Sequence, residues 1–277
     1  MKFRIKHLFI NKPAFYLSPN NYAIYIKFLA RIMSLFGKSY YLNFKEIEGK
    51  FDSNFSLVLI ENLDRPIKIQ SKVRLSRFMR GFYNSGIRQW NRYDLDNLLD
   101  GVNPDNFIDI GANIGEATYY AFNKGIKNVL AIEPDPIAME CLEFNLADTK
   151  VLFDKRPLNS IEEMVTFYLK TDSADSSLFK PEGDSLELEV QATTLDNLFH
   201  EHGFSGNTLI KMDAEGFEPE VLRGGLNALK KVKWISIDTG EERAGSSTVA
   251  EVLSILKNAG FDKIEVSKLN IVTAKRF

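Results

Sequence analysis

Beyond Asn106 the chain alternates between short apolar runs and stretches of helical periodicity. Apolar runs at 106–110, 129–133, 151–155, 208–213 and 234–238 predict strands. The periodic stretches predict a helix starting near Gly115 and helices over 136–147 and 248–260. Pro136 suits a first helical turn, where its missing N–H costs no hydrogen bond. Such alternation implies a parallel sheet. Two further segments, 165–169 and 186–192, alternate like an antiparallel pair, and 263–267 with 270–274 predicts a closing hairpin around Leu269. The fold class is therefore α/β.

The first hundred residues read differently. Residues 20–38 predict a helix in which Lys27, Arg31, Ser34 and Lys38 form a narrow polar stripe and the rest is apolar. Such a helix either packs against the domain or lies in a membrane interface. Residues 55–60 and 66–70 predict strands. Residues 75–99 predict helix interrupted near Gly81 and Gly86, bearing Arg77, Arg80, Arg88 and Arg92 beside Phe78, Phe82, Trp90 and Tyr93.

Charge sharpens the division. The net charge of −2 over 277 residues conceals 17 Lys/Arg against 5 Asp/Glu up to Arg92, and 18 against 32 thereafter. No acidic residue precedes Glu46, and none lies between Asp64 and Asp94. The chain accordingly divides into a basic N-terminal extension, 1–92, and a catalytic domain, 93–277. The basic front calls for an anionic partner such as a membrane surface, a glycan or a nucleic acid, or else is a solvated face that pairs with the acidic body. No RNA-binding motif is recognisable, which disfavours nucleic acid. Cys141 is the only cysteine, so an internal disulfide and a cysteine-based zinc site are excluded and a reducing compartment fits. The apolar run Leu8-Phe9-Ile10 is too short for a signal-peptide core. The expectation is a cytoplasmic protein, with peripheral contact at the inner membrane face through the basic front.

The chemistry concentrates in two places. In the first, Phe107-Ile108-Asp109-Ile110-Gly111-Ala112-Asn113-Ile114-Gly115 is an apolar strand entering a glycine-rich turn, and Glu133-Pro134 closes the next strand about twenty residues on. This is a nucleotide crevice in which the terminal acid accepts hydrogen bonds from a ribose diol. The glycine spacing does not suit a pyrophosphate, and Asp109 before the turn would repel one. A ligand with a ribose, an amino group and a sulfonium but no phosphate suits it better, and S-adenosylmethionine is such a ligand. Asp109, Gly111, Asn113, Gly115 and Glu133 are the expected cofactor residues, with Asp109 on the amino group directly or through water.

The second place is Ile210-Lys211-Met212-Asp213-Ala214-Glu215-Gly216-Phe217-Glu218. Lys211 and Asp213 share one face of an otherwise apolar strand. Charges in a sheet interior need partners, and the carboxyl ends of parallel strands line the ligand crevice. Asp213 and Glu215 therefore emerge beside the reactive methyl, unless both merely cap the helix that starts near Pro219.

These segments, with Ile132-Glu133-Pro134-Asp135, Ser176-Ser177-Leu178, Thr194-Leu195-Asp196 and Val221-Leu222-Arg223-Gly224-Gly225, resemble the FkbM-type S-adenosylmethionine-dependent methyltransferases. The resemblance runs from about Tyr93 to the C-terminus and leaves 1–92 uncovered. It implies a Rossmann-like class I methyltransferase fold, a mostly parallel seven-stranded sheet with helices on both faces. It implies O-methylation of a hydroxyl, on a sugar of a glycan or glycolipid or on a polyketide-like small molecule. A non-catalytic S-adenosylmethionine-binding module is the rival from another class. By position it implies cofactor contacts at Asp109, Gly111, Asn113, Glu133, Pro134 and Asp135, and catalytic roles for Lys211, Asp213 and Glu215. Asp238 stands where many relatives carry Glu.

An alcohol holds its proton tightly near neutral pH, so a base must remove it or a metal must acidify it. Glu215 is the first choice of base, with Asp213 positioning donor or acceptor. His200 and His202 are the rivals by ordinary pKa, although they read as the end of a helix. A divalent metal on Asp213, Glu215 and Asp238 is the other route; it is not favoured, and no metal ligands are assigned.

Overall fold

The structure is a computed structural model. It describes residues 24, 25 and 28 and, from 44 onward, all except 49, 51–55, 62, 72–73, 79, 171–175, 181–184, 242 and 244.

Seven strands form the central sheet: β4 (Asn106–Ile110), β5 (Asn128–Ile132), β6 (Leu152–Asp154), β9 (Thr208–Met212), β10 (Val232–Asp238), β11 (Lys263–Val266) and β12 (Ile271–Lys275). Their order is β11-β12-β10-β9-β4-β5-β6. The pairings from β10 to β6 are parallel, and β12 runs antiparallel to β10 and β11. The chain leaves β4 toward β5 and β6, then returns to place β9 on the other side of β4. This reversal opens a crevice at the carboxyl ends of β4 and β9.

The central strands alternate between two buried faces. Phe107, Ala131, Leu209 and Trp234 join one apolar cluster, and Ile108, Leu130, Ile210 and Ile235 join the other. The first face is covered by α2 (Phe82–Arg92), α3 (Leu95–Leu99), α4 (Glu116–Asn123) and α5 (Pro136–Asn145), which follow the short α1 (Leu75–Phe78). The second is covered by α6 (Leu195–His202), α7 (Glu218–Arg223) and α8 (Val249–Asn258). Helices on both faces, with a mostly parallel seven-stranded sheet between them, match the expected architecture. The antiparallel pair β7 (Met164–Leu169) and β8 (Leu186–Gln191) is also as expected.

A small antiparallel sheet precedes this body: β1 (Phe44–Glu48), β2 (Ser56–Ile60) and β3 (Ile67–Ile69). The apolar pattern indicated β2 and β3 but not β1. Lys68 and Asn145 exchange hydrogen bonds of 2.7 and 3.0 Å, fastening β3 to α5. Leu57, Ile67, Phe82 and Trp90 belong to the same apolar cluster as Phe107 and Leu209. Residues 57–99 thus pack into the core of the sheet they precede.

The interruption expected near Gly81 is present. Gly81 has φ 91°, and a Cβ there would come within 2.8 Å of the Asp64 carboxylate. Asp64 instead caps α2, accepting from the amides of Phe82 and Tyr83 at 2.8 and 2.9 Å. The expected break at Gly86 does not occur; Gly86 lies inside α2. Its missing side chain serves packing, because a Cβ would sit 2.4 Å from the Glu116 carbonyl and 2.7 Å from the Tyr120 Cβ. The helix ends at Tyr93–Asp94, where Asp94 turns left-handed at φ 55°. Gly86→Ala should cost about 1–3 kcal/mol by forcing α2 from α4. A lowered urea midpoint would report it; an unchanged midpoint would mean the two helices part without cost.

The 20–38 helix lies almost wholly outside the described residues. Positions 24, 25 and 28 are helical, with Ile24 and Phe28 exposed and Tyr25 against the core. No helix among the described residues is long and apolar enough to cross a membrane.

Candidate active site

A cleft of about 270 Å³ opens at the reversal, lined by the loops after β4, β5 and β9 and by Gln70, Arg74, Arg77, Gln89 and Arg92. The loop after β4 begins with Gly111, φ 70°, whose absent side chain admits the backbone of the β9 loop: a Cβ would stand 2.0 Å from the Asp213 carbonyl oxygen. Only glycine permits both this backbone angle and this approach. Asn113 is left-handed, and its amide donates to Glu133 at 2.7 Å. The Asp135 amide donates to the other Glu133 oxygen at 2.9 Å. Glu133 still lines the cleft, and each carboxylate oxygen has a second lone pair for a ligand hydroxyl. Burial, and then the neighbouring Asp135, raise its pKa to about 8.

Two other expected cofactor residues serve the frame. Asp135 caps α5 through the amides of Ile137 and Ala138, and its second oxygen accepts from Ser176 at 2.7 Å. Pro134 and Asp135 line the cleft. Gly115 does not; a Cβ there would meet Leu142 at 2.6 Å, so it is required where α4 packs on α5.

Asp109 stands elsewhere than expected. It is fully buried and lies outside the lining of the cleft. Its oxygens meet Thr118 at 2.6 Å and the Lys211 ammonium at 3.0 Å, behind the cleft wall. The register explains this, since Asp109 and Lys211 are direct neighbours across β4 and β9, and Ser236 follows on β10. Lys211 also donates to the Gly111 carbonyl at 2.8 Å and lies 5.0 Å from the centre of the Tyr93 ring. Its carboxylate neighbours hold it protonated against the cost of burial, and its pKa is raised. A buried ion pair thus clamps the glycine turn from behind.

The turn after β9 carries the expected catalytic residues. Asp213 donates its amide to the Ile110 carbonyl at 3.0 Å, and Glu215 turns left-handed at φ 49°. Both line the cleft. Glu218, fully buried, clamps the turn by accepting from the Ala214 and Gly216 amides at 3.2 and 2.9 Å and from Thr248 at 2.9 Å. Burial raises its pKa to about 7. Glu218 thus braces the turn that precedes α7, and Phe217, the residue at the helix start, makes no side-chain cap.

Tyr93 completes the site, and the motifs did not reveal it. Its buried hydroxyl donates to Asp213 at 2.6 Å, while its carbonyl accepts from Ser236 at 2.7 Å. The adjacent Arg92 pairs with Asp238 at the end of β10. The sole sequence signal was an aromatic beside an arginine in a segment without acids. Tyr93→Phe should lower turnover about tenfold by releasing one Asp213 oxygen, with cofactor affinity unchanged. Unaltered kcat/KM in a methyl-transfer assay would reduce the bond to a packing feature.

The remaining candidates lie apart. His200 and His202 end α6, His202 rests on Phe204, and neither lines the cleft. Asp213, Glu215 and Asp238 do not converge as metal ligands among the described residues; Asp154, Glu201 and His202 do, with Arg156 already paired to both acids.

The donor set suits S-adenosylmethionine: an acid for a ribose diol, a glycine turn free of phosphate-binding amides, and carboxylates near the crossing of β4 and β9. The sequence matches the methyltransferase FkbM domain over residues 109–263, and the chain belongs to that family of S-adenosylmethionine-dependent methyltransferases. A curated relative, the hexuronic acid methyltransferase AglP of Haloferax volcanii, is 28% identical over 177 residues, 62% of this chain and 70% of the relative. Among solved structures, EvdMO1 is 14% identical with a TM-score of 0.38, covering 70% of this chain; this chain spans 40% of its length. The ribosomal protein L11 methylase of Lactobacillus delbrueckii subsp. bulgaricus is 12% identical with a TM-score of 0.38, covering 68% of this chain and 78% of that one.

Proposed function

We propose that this enzyme transfers the methyl group of S-adenosylmethionine to a hydroxyl oxygen of a sugar in a glycan or glycolipid. The observation that carries the reading is the pair of cleft-lining carboxylates, Asp213 and Glu215, on a turn pressed against Gly111. A binding module needs no such pair beside the donor. The name of the relative AglP, a hexuronic acid methyltransferase, supports a sugar acceptor.

When bound, S-adenosylmethionine supplies a methyl group on a sulfonium that leaves readily. Glu133 and the Asn113 turn hold its ribose. Lys211 and Asp109 keep the glycine turn in place. Glu215 accepts the proton of the acceptor hydroxyl as that oxygen attacks, and Asp213, fixed by Tyr93, accepts a hydrogen bond that orients the acceptor. The test is incubation with S-adenosylmethionine and a panel of glycosides and non-sugar alcohols. A glycoside that gains one methyl mass, and keeps it through mild alkali that would remove a methyl ester, is the expected product. Methylation confined to nitrogen or carbon would overturn the reading.

A further inference from the structure

The arginines of the basic front do not all face solvent. Helix α2 places Arg88, Gln89 and Arg92 on one face, by spacings of three and four. Gln70, Arg74, Arg77, Gln89 and Arg92 line one wall of the cleft that also holds Asp213 and Glu215. The Arg77 guanidinium pairs with Glu116 at 2.6 Å, and Arg88 donates to the Arg77 carbonyl. Arg88 is half-buried beside Arg77 and Arg80; burial and these like charges pull its pKa down, against the pull of Glu116. Crowding guanidiniums in a half-buried wall costs free energy that a bound anion recovers. A second observation points to a ligand with hydroxyls: the Gln70 side-chain oxygen is buried on this wall with no hydrogen-bond partner in the described structure.

Position separates Arg92 from the ribose site, whereas Arg74 stands within electrostatic reach of Asp135. Glu133 follows β5, whereas Arg92 pairs with Asp238 at the end of β10. The order β10-β9-β4-β5 puts three strand spacings, roughly 14 Å, between them. Arg92 therefore stands beyond Asp213, on the acceptor side. Its bond to Asp238 uses one of five N–H donors, its guanidinium lies 5.6 Å from the centre of the Tyr93 ring, and its side chain is 47% exposed.

We infer that the acceptor is an anionic sugar, whose carboxylate or phosphate is held by Arg92, while Gln89 beside it on α2 takes a hydroxyl. The inference rests on the sugar reading above for the word sugar, and on the wall itself for the word anionic. It assigns part of the basic front to acceptor selection.

The full-length protein, saturated with S-adenosylhomocysteine, is titrated calorimetrically with methyl glucuronoside, glucose 6-phosphate and methyl glucoside. At least one anionic glycoside should bind about tenfold or more tightly than the neutral one, in the range of a charge-assisted hydrogen bond. The two anions show which group the wall prefers. Arg92→Gln, folded by its melting curve, should abolish the preference and keep S-adenosylhomocysteine affinity within about twofold; Arg92→Lys should restore part of it. Equal binding of neutral and anionic glycosides by the wild type would overturn the inference, as would loss of S-adenosylhomocysteine affinity in folded Arg92→Gln. A parallel titration with 3-hydroxybenzoate and 3-hydroxybenzyl alcohol separates the two claims. Preference for the anion there, without glycoside binding, keeps the anionic site and sinks the sugar reading.

Discussion

Glu215→Gln should cut turnover by a factor on the order of 10²–10⁴ while S-adenosylhomocysteine binds as before. The amide matches the acid in size and cannot take a proton from an attacking hydroxyl. The backbone should tolerate the change, since the left-handed turn is fixed from both sides: the Glu215 carbonyl accepts from Ser177 at 3.1 Å, and Glu218 holds the amides of Ala214 and Gly216. Asp213 is the competitor. One of its oxygens is already engaged by the Tyr93 hydroxyl at 2.6 Å, which suits a carboxylate that orients rather than one that accepts a proton. Single-turnover rates for Glu215→Gln and Asp213→Asn decide between them. Loss confined to Asp213→Asn would transfer the role of base to Asp213. His200→Ala, far from the cleft wall, should leave the rate unchanged.

The parallel strands were legible because they are buried on both faces and read as short apolar runs between turn residues. Glu133 was legible as a cleft residue because it follows its strand at a set distance from the glycine turn. Asp109 was assigned to the right motif, and the structure sets it behind the cleft lining. Sequence places it at the end of β4, but only the β4–β9 register sets it beside Lys211. Gly86 looked like a helix break because helical propensity is local, whereas its reason is the approach of α4 from more than thirty residues away. Tyr93 and Arg92 were invisible as site residues for the same cause. Nothing near them in the chain shows that α2 ends above β9 and β10. The charge asymmetry did reach the site: an arginine-rich segment without acids became one wall of the cleft.

Glu133→Gln should weaken S-adenosylhomocysteine about ten- to a hundredfold, the cost of replacing a charge-assisted acceptor in a buried site. It should also change how the protein responds to pH, which separates its role from packing. Burial raises the Glu133 pKa to about 8 and the Glu218 pKa to about 7, each from an ordinary 4.5. The folded chain therefore holds these protons more tightly than the unfolded chain. Their contribution to stability is full below about pH 4.5 and is lost as pH rises, until about 7 for Glu218 and about 8 for Glu133. Ligand-free wild type should lose stability across that whole window, whereas Glu133→Gln should lose it mainly below about pH 7. Binding should run the other way. Ribose hydroxyls donate to the ionised form, so wild-type affinity should rise with pH up to about 8 and the variant should lack that rise. Melting curves and calorimetry from pH 5 to 9 measure both. Parallel pH curves for wild type and variant, in stability and in affinity, would remove Glu133 from the ribose site.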